Sequence, residues 1–82
     1  MLIGTVIGNV ISTKKIDDLR GSKFLCVRIN GEKSYDLIAV DSVGAGMGEL
    51  VLVTTGHNAQ YAFQQKEVPV DAVIVGIIDE KH

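Results

Sequence analysis

Three glycines at alternating positions constrain this chain more than any other feature of its sequence. Gly44, Gly46 and Gly48 separate two apolar runs within the segment 39–60. Glycine loses more backbone freedom on folding than any other residue, so three glycines in five positions indicate positive φ angles or the close approach of another backbone. We therefore expect a tight loop between two strands.

A glycine-rich turn can also bind phosphate, because its backbone amides point toward an anion at the start of a helix. In this chain the glycines precede a β-type run at 50–55 (LVLVTT), and the sequence has neither the G-x-G-x-x-G spacing nor a P-loop lysine. The glycines are therefore interpreted as structural, and no cofactor is predicted.

The chain is short but rich in apolar residues. Its 82 residues make a single domain, 1–82, and a domain of this size buries only roughly 60% of the surface that its unfolded chain exposes. Yet 46% of the residues are hydrophobic, only 5% are aromatic, and the mean hydropathy is +0.27. This surplus predicts apolar surface reserved for partners, most simply for copies of the same chain, since most soluble oligomers are homo-oligomers.

Charge and cysteine usage argue against several classes of protein. The net charge of -2 does not suit a nucleic-acid-binding surface, which is usually basic. The apolar N-terminus lacks the basic region and the cleavage pattern of a signal peptide, and no apolar run approaches the roughly 18 residues of a membrane span. A single cysteine, Cys26, cannot form an internal disulfide, which fits a reducing compartment. We expect a cytoplasmic protein that binds neither nucleic acid nor membrane.

Runs of β-branched or alternating residues predict five strands. They cover 2–13, 23–29, 33–40, 50–54 and 70–78. A short helix is predicted between the last two, around 59–63. Asn58 or Thr55 is a suitable cap for it, and Pro69 ends it. So many short strands in a small chain favour an all-β fold, a small closed or half-open barrel with one short helix before the last strand.

The second predicted strand alternates two kinds of side chain. Leu25, Val27 and Ile29 share one face, which we expect to be buried, and the other face is mixed. Cys26 lies on the mixed face beside Phe24, where a buried and inert thiol is expected rather than a nucleophile.

The dipeptide Asn30-Gly31 predicts a β-hairpin, because both central residues of a type I′ turn need positive φ. In that hairpin Ile29 and Glu32 flank a two-residue turn, and Arg28 lies close to Lys33.

The acidic residues are candidates for general acid–base catalysis. They are Asp36, Asp41, Glu49, Asp71 and Asp79. Most stand at predicted strand ends or loop edges, where aspartate commonly accepts hydrogen bonds from turn amides, and no histidine or serine completes a recognisable triad. The protein is therefore not expected to be an enzyme.

Neither a metal site nor a base-stacking surface is predicted. His57, His82 and Cys26 lack the spacings of zinc sites. Tyr35 and Tyr61 have no basic groove beside them, so a core edge or a subunit interface suits them better than stacking on bases.

Four segments spread along the sequence form a combined pattern. They are the opening strand with Gly8, Val10, Ser12, Thr13 and Lys14, the run 24–27 (FLCV), the run 39–56 (AVDSVGAGMGELVLVTTG) and the closing run 69–79 (PVDAVIVGIID). Together they resemble the pentameric vertex proteins of bacterial microcompartment shells, the family that caps carboxysomes and the ethanolamine- and propanediol-type metabolosomes. The resemblance covers nearly the whole chain. After Gly56 the family usually has Ser-Ser-Ala-Arg, whereas this chain has HNAQ at 57–60.

The resemblance implies a five-stranded barrel like the oligonucleotide/oligosaccharide-binding (OB) fold, in a ring of five subunits around a narrow opening. Such rings occupy the five-fold corners of a polyhedral shell, beside hexameric facet proteins, and their role is structural. An excess of apolar residues suits a closed ring, because each subunit must bury two different faces in head-to-tail contacts.

Two sets of site residues follow from this interpretation. The subunit interface is predicted at Gly44, Ala45, Gly46, Met47, Gly48 and Glu49, where a Cβ on a glycine would obstruct the neighbouring chain. The edge of the central opening is predicted at Gly56, His57 and Asn58. Copies of His57, whose unperturbed pKa is about 6.5, would change the charge of the opening near neutral pH. The alternative for His57 is a solvent-exposed loop residue.

The residues also leave a different class of function open. A small OB-like barrel can instead bind a small ligand or single-stranded nucleic acid. Such a protein could be monomeric, whereas a vertex protein should form a pentamer.

Overall fold

The structure is a computed structural model, and it describes residues 1–10, 23–56 and 71–79. Five strands form a closed barrel in the spatial order β1-β2-β3-β5-β4. They are β1 (Leu2–Val10), β2 (Lys23–Ile29), β3 (Tyr35–Asp41), β4 (Leu50–Thr55) and β5 (Ala72–Ile77). Neighbouring strands are antiparallel except β3 and β5, which are parallel.

The predicted all-β class and the five-stranded barrel are confirmed. Each described strand lies where a β-rich run predicts it, although β3 begins at residue 35 rather than 33. The predicted helix at 59–63 and residues 11–13 of the first predicted strand lie outside the described residues. In the described parts of the chain, no helix is both long and apolar enough to cross a membrane.

The barrel interior is filled by aliphatic side chains that alternate along the strands. Leu25, Val27 and Ile29 of β2 are buried and face inward, as predicted. The rest of this core comes from the other strands and one loop: Val6, Ala39, Ala45, Val51, Val53, Ala72 and Ile74. Each fully buried valine, leucine or isoleucine side chain contributes about 1.5–3 kcal/mol relative to an exposed one, so this cluster is the main source of stability.

Gly4 allows β1 and β2 to approach each other closely. A Cβ at this position would lie 2.6 Å from Val27 Cγ1 and 2.7 Å from the carbonyl oxygen of Arg28. Any side chain there would therefore push the two strands apart. Farther along, the register shifts between Val6 and Gly8, which marks a bulge.

The connection between β2 and β3 differs from the prediction. Ile29 pairs with Tyr35, so the loop consists of residues 30–34. The predicted two-residue turn flanked by Ile29 and Glu32 is therefore wrong. Gly31 also lacks the positive φ that a type I′ turn requires.

The observed register keeps apolar side chains opposite each other on the inward face of the hairpin. Val27 lies opposite Leu37. A two-residue turn would shift the pairing by an odd number of residues and would place Ser34 opposite Val27. Since such a shift moves every side chain of β3 to the other face, burial of the apolar row outweighs the local preference of the Asn-Gly dipeptide.

Candidate functional site

The glycine loop, residues 42–49, connects β3 to β4 at one end of the barrel. Gly44 has φ 82° and Gly48 has φ 81°, whereas Gly46 does not have a positive φ. An L side chain in the left-handed region costs roughly 1–2 kcal/mol, so backbone conformation accounts for two of the three glycines. It does not account for Gly46.

A carboxylate at the end of β3 holds the first half of the glycine loop. Asp41 Oδ1 accepts hydrogen bonds from the amides of Val43 (3.0 Å) and Gly44 (3.1 Å). Lys23 Nζ lies 3.8 Å from Asp41 Oδ2 and donates a hydrogen bond to the carbonyl oxygen of Ala45 (2.9 Å). The first residue of β2 and the last residue of β3 therefore clamp the loop together.

A second set of hydrogen bonds holds the other half of the glycine loop. Glu49 Oε1 accepts from the Gly46 amide (2.7 Å), and the Glu49 amide donates to the Gly46 carbonyl (3.2 Å). The Val6 amide donates to the Glu49 carbonyl (3.0 Å), and the Gly48 amide donates to the Val6 carbonyl (2.9 Å). Ala45 is fully buried and joins the main core. The loop is thus tied to itself, to β1 and to the interior.

Two apolar side chains of the glycine loop are left in solvent. Met47 is 60% exposed and Val43 is 41% exposed. Next to them, the Ser42 hydroxyl donates to the Ile74 carbonyl (2.6 Å), which ties the start of the loop to β5. Because the backbone is already held in place, a partner that covers these side chains would lose little affinity to ordering of the loop.

Within the glycine loop, Gly46 is the glycine that the described residues of the subunit do not require. A Cβ at Gly46 would lie 3.5 Å from Glu49 Oε1, which is an ordinary van der Waals distance. Neither its φ nor any residue within 1–10, 23–56 and 71–79 therefore excludes a small side chain at this position. A neighbour from outside the chain remains as a physical reason for glycine.

Asp36, one of the candidate acids, forms an exposed ion pair on the outside of the barrel. Arg28 Nε donates to Asp36 Oδ1 (2.9 Å), and Arg28 Nη2 donates to Oδ2 (3.2 Å). The hydrogen bond and the positive charge of the guanidinium lower the pKa of Asp36, and the carboxylate raises the pKa of Arg28. The predicted proximity of Arg28 to Lys33 is wrong, because the observed register pairs Arg28 with Asp36.

The other candidate acids have separate structural roles. Asp41 and Glu49 hold the glycine loop. The Asp71 carbonyl accepts a hydrogen bond from the Gly56 amide (2.8 Å) at the far end of β4. Asp79 lines an open groove beside the start of β4. Asp41 and Glu49 therefore share the glycine loop, and Glu49 also lines the groove of Asp79, whereas Asp36 and Asp71 lie elsewhere.

Within residues 1–10, 23–56 and 71–79, no group of three or more His, Cys, Asp or Glu side chains is placed to hold a metal ion. Cys26 is half-buried rather than buried, because its neighbour on β1 is Gly8, which has no side chain to cover it. Tyr35 is exposed at the start of β3. The remaining candidates, His57, His82 and Tyr61, lie outside the described residues.

Gly56, which was predicted at the edge of an opening, follows β4 at the end of the barrel opposite to the glycine loop. Its φ is 74°, and its amide is held by the Asp71 carbonyl. The six residues of β4 separate the two predicted site regions by about 20 Å at the usual rise of a strand. His57 and Asn58, which complete the predicted edge, lie outside the described residues.

Sequence reasoning identified the glycine loop but missed the clamp that shapes it. Asp41 directly precedes the loop, and an aspartate at that position is a recognised acceptor for turn amides, so a local signal was present. Lys23 reaches Ala45 across 22 residues of sequence. That contact depends on the register of β2 against β3. The two-residue turn predicted from Asn30-Gly31 implied a different register, which is wrong.

Comparison with known proteins places this barrel in a family. The family model described as ethanolamine utilisation protein EutN/carboxysome matches residues 1–79. The bacterial microcompartment shell vertex protein PduN of Salmonella typhimurium is 44% identical over 87 residues, which cover 96% of this chain and 96% of the relative.

Solved structures give the same result. The structure of CcmL from Gloeobacter violaceus matches with a TM-score of 0.88 and 38% identity, covering 100% of this chain and 89% of that one. The GrpN pentameric microcompartment shell protein from Rhodospirillum rubrum matches with a TM-score of 0.84 and 38% identity, covering 100% and 96%. The resemblance inferred from the sequence is thereby confirmed. This chain belongs to the ethanolamine utilisation protein EutN/carboxysome family.

Proposed function

We propose that this chain is a structural shell protein that assembles into a ring of five and closes the five-fold vertices of a bacterial microcompartment in the cytoplasm. The observation that carries the proposal is the full-length likeness to GrpN, which is a pentameric microcompartment shell protein. PduN, similarly close in sequence, is a shell vertex protein. The proposed role has no catalytic step and needs no cofactor.

The distribution of apolar side chains supports assembly. Large apolar residues are exposed on several sides of the barrel: Met1, Ile3, Tyr35, Ile38, Val43, Met47 and Ile77. A subunit in a closed ring covers two different surfaces, one against each neighbour. Each such contact typically buries roughly 800 Å² per partner, which these exposed residues can help to supply.

We assign the subunit interface to the exposed part of the glycine loop, in particular to Gly44, Gly46, Met47, Gly48 and Glu49. Ala45, which was also predicted there, is fully buried in the core of its own subunit and is not part of the assigned surface. The support is the exposed side chain of Met47 on a loop held at both ends, together with Gly46, where a Cβ would make only an ordinary contact of 3.5 Å with Glu49 Oε1. The outer edge of the ring would meet hexameric facet proteins. The rim of the central opening is assigned to Gly56, His57 and Asn58, and it would be tested by the distance of these residues from the five-fold axis in a structure of the assembled ring.

The assembly itself is tested by mass and by shell closure. Native mass spectrometry should show a pentamer, and co-expression with facet proteins should give closed polyhedra that do not form in its absence. A chain that stays monomeric at high concentration, with facet proteins closing without it, would rule out the proposal. A monomer that instead shifts a single-stranded oligonucleotide or a small ligand would favour the binding-module alternative.

Replacement of Gly46 tests the interface assignment. Gly46→Val should give monomers or aggregates, because a branched side chain would stand where the neighbour's backbone lies. Gly31→Val is the matched control: it lies in the 30–34 loop, where an added Cβ meets nothing closer than the Lys33 carbonyl oxygen at 4.0 Å. An intact ring in Gly46→Val, with both variants equally assembled by native mass spectrometry, would contradict the assignment.

A further inference from the structure

In the described part of the chain, the seam between β3 and β5 leaves half of β3 without a strand beside it. The two strands pair only at Val40 with Val73 and at Asp41 with Ile74. Residues 35–39 therefore have β2 on one side and no strand of the described chain on the other. Along this edge, alternate residues direct their amide and carbonyl groups outward, away from β2.

Each face of the β3 edge carries an exposed apolar side chain. Tyr35 is 51% exposed and Ile38 is 48% exposed. Exposed strand edges of this kind pair with other chains and cause aggregation unless they are covered, charged or bent away. The charged residue between them, Asp36, is already paired with Arg28, so it protects the edge less than a free charge would.

A partner that protects this edge must cover it in every copy of the protein. A second copy of the chain is present at a ratio of one to one, which suits a surface that every subunit carries. A second apolar surface of the same chain is the glycine loop, where Val43 and Met47 are exposed. It follows the opposite end of β3, about 15 Å along the strand from Ile38 at the usual rise per residue.

We propose that the free β3 edge of each subunit, Tyr35 to Ala39, is covered by the glycine loop of its neighbour. The inference rests on the proposed ring, and it names the two surfaces that meet in each contact. Because the loop and the edge are different surfaces of one chain, the contact is head-to-tail and can close a ring. Because Gly46 has no side chain, the loop allows the neighbour's backbone to approach the unpaired groups of the edge at this position.

Cysteine cross-linking tests this pairing directly. In a Cys26→Ala background, Ile38→Cys is combined with Met47→Cys, and the protein is oxidised and run on a denaturing, non-reducing gel. Cys26 is removed because it lies opposite Ile38 in the hairpin and could form a disulfide within one chain. The expected result is a ladder of covalent oligomers up to the closed ring. Matched controls are the two single-cysteine variants and the pair Ile3→Cys with Met47→Cys, since Ile3 is exposed on β1.

The controls should stay monomeric on the gel, although native mass spectrometry of the same reduced samples should show the ring. A ring without the 38–47 ladder, or with a ladder only for the 3–47 pair, would overturn the pairing while leaving the proposed function intact. Absence of a ring in the Cys26→Ala parent and in the unmodified protein would instead count against the proposed function. If Ile38→Cys itself prevents assembly, Asp36→Cys, which lies on the same face of β3, replaces it, and failure of the 36–47 pair to cross-link within an assembled ring rejects the inference.

Discussion

The two ends of the β2–β3 ladder carry the same kind of ion pair, with an exposed cation at both ends but a shielded carboxylate at only one. At one end Lys23 lies 3.8 Å from Asp41, whose side chain is only 2% exposed. At the other end Arg28 donates two hydrogen bonds to Asp36, and both side chains are about half exposed. The exposed pair has the better geometry. The shielded carboxylate supports more of the structure, because it also holds two amides of the glycine loop.

The difference shows that the distance between two charges is a poor measure of what a pair contributes. Water and salt screen an exposed pair, and holding two long side chains together costs entropy. A shielded carboxylate keeps its hydrogen bonds to the backbone in a less polar environment, where they are stronger. We therefore expect substitutions at Asp41 to lower the stability of the fold clearly, and substitutions at Asp36 to lower it little.

The largest effect is expected for Asp41→Ala. Hydrogen bonds to a charged group contribute about 1.5–3 kcal/mol each, and the loss of two of them should lower the free energy of unfolding by about 3 kcal/mol. The measurement is urea denaturation at one fixed protein concentration, because the stability of an oligomer depends on concentration. Asp36→Ala is the matched control on the same strand. Equal losses for the two variants would mean that the loop contacts of Asp41 contribute nothing.

A smaller loss of stability is expected when a glycine in either of the two loops is replaced by alanine. Gly44→Ala places a Cβ at φ 82° and should destabilise the protein by about 1–2 kcal/mol. Gly31→Ala, in the loop at the other end of the ladder, should change stability much less, because Gly31 has no positive φ and open space around it. Thermal unfolding of both variants at one concentration makes the comparison. A larger loss for Gly31→Ala would show that the 30–34 loop, not the glycine loop, depends on its glycine.

The same two loops show how far the sequence could predict the structure. The alternation of Leu25, Val27 and Ile29 predicted the buried face of β2 correctly, because a period of two depends only on neighbouring residues. Asn30-Gly31 predicted a tight turn and failed, since the apolar row of β3 decides the register and lies several residues away.

The sequence predicted where the glycine loop lies, but not the contacts that hold it in place. Positive φ at Gly44 and Gly48 follows from residue type, so their need for glycine was predictable. The contact of Lys23 with the Ala45 carbonyl was not, because it joins distant parts of the chain and appears only once the strands are paired. The assignment of the loop to a subunit contact stays a prediction.

The smallest effect is expected at the exposed pair, and its dependence on pH and salt identifies its origin. Arg28 lowers the pKa of Asp36 below its ordinary value of 3.8, so the carboxylate is more easily ionised in the folded state than in the unfolded chain. A lowered pKa means that the pair contributes its full stabilisation above about pH 3.8 and loses it as the pH falls through the lowered value. Unfolding midpoints of the unmodified protein and of Asp36→Asn should therefore differ slightly at pH 7 and converge in acid. They should also converge in about 1 M salt at neutral pH, where the screening length is only about 3 Å. A difference that persists in salt, or that grows in acid, would mean that Asp36 acts through packing of the hairpin and not through its charge.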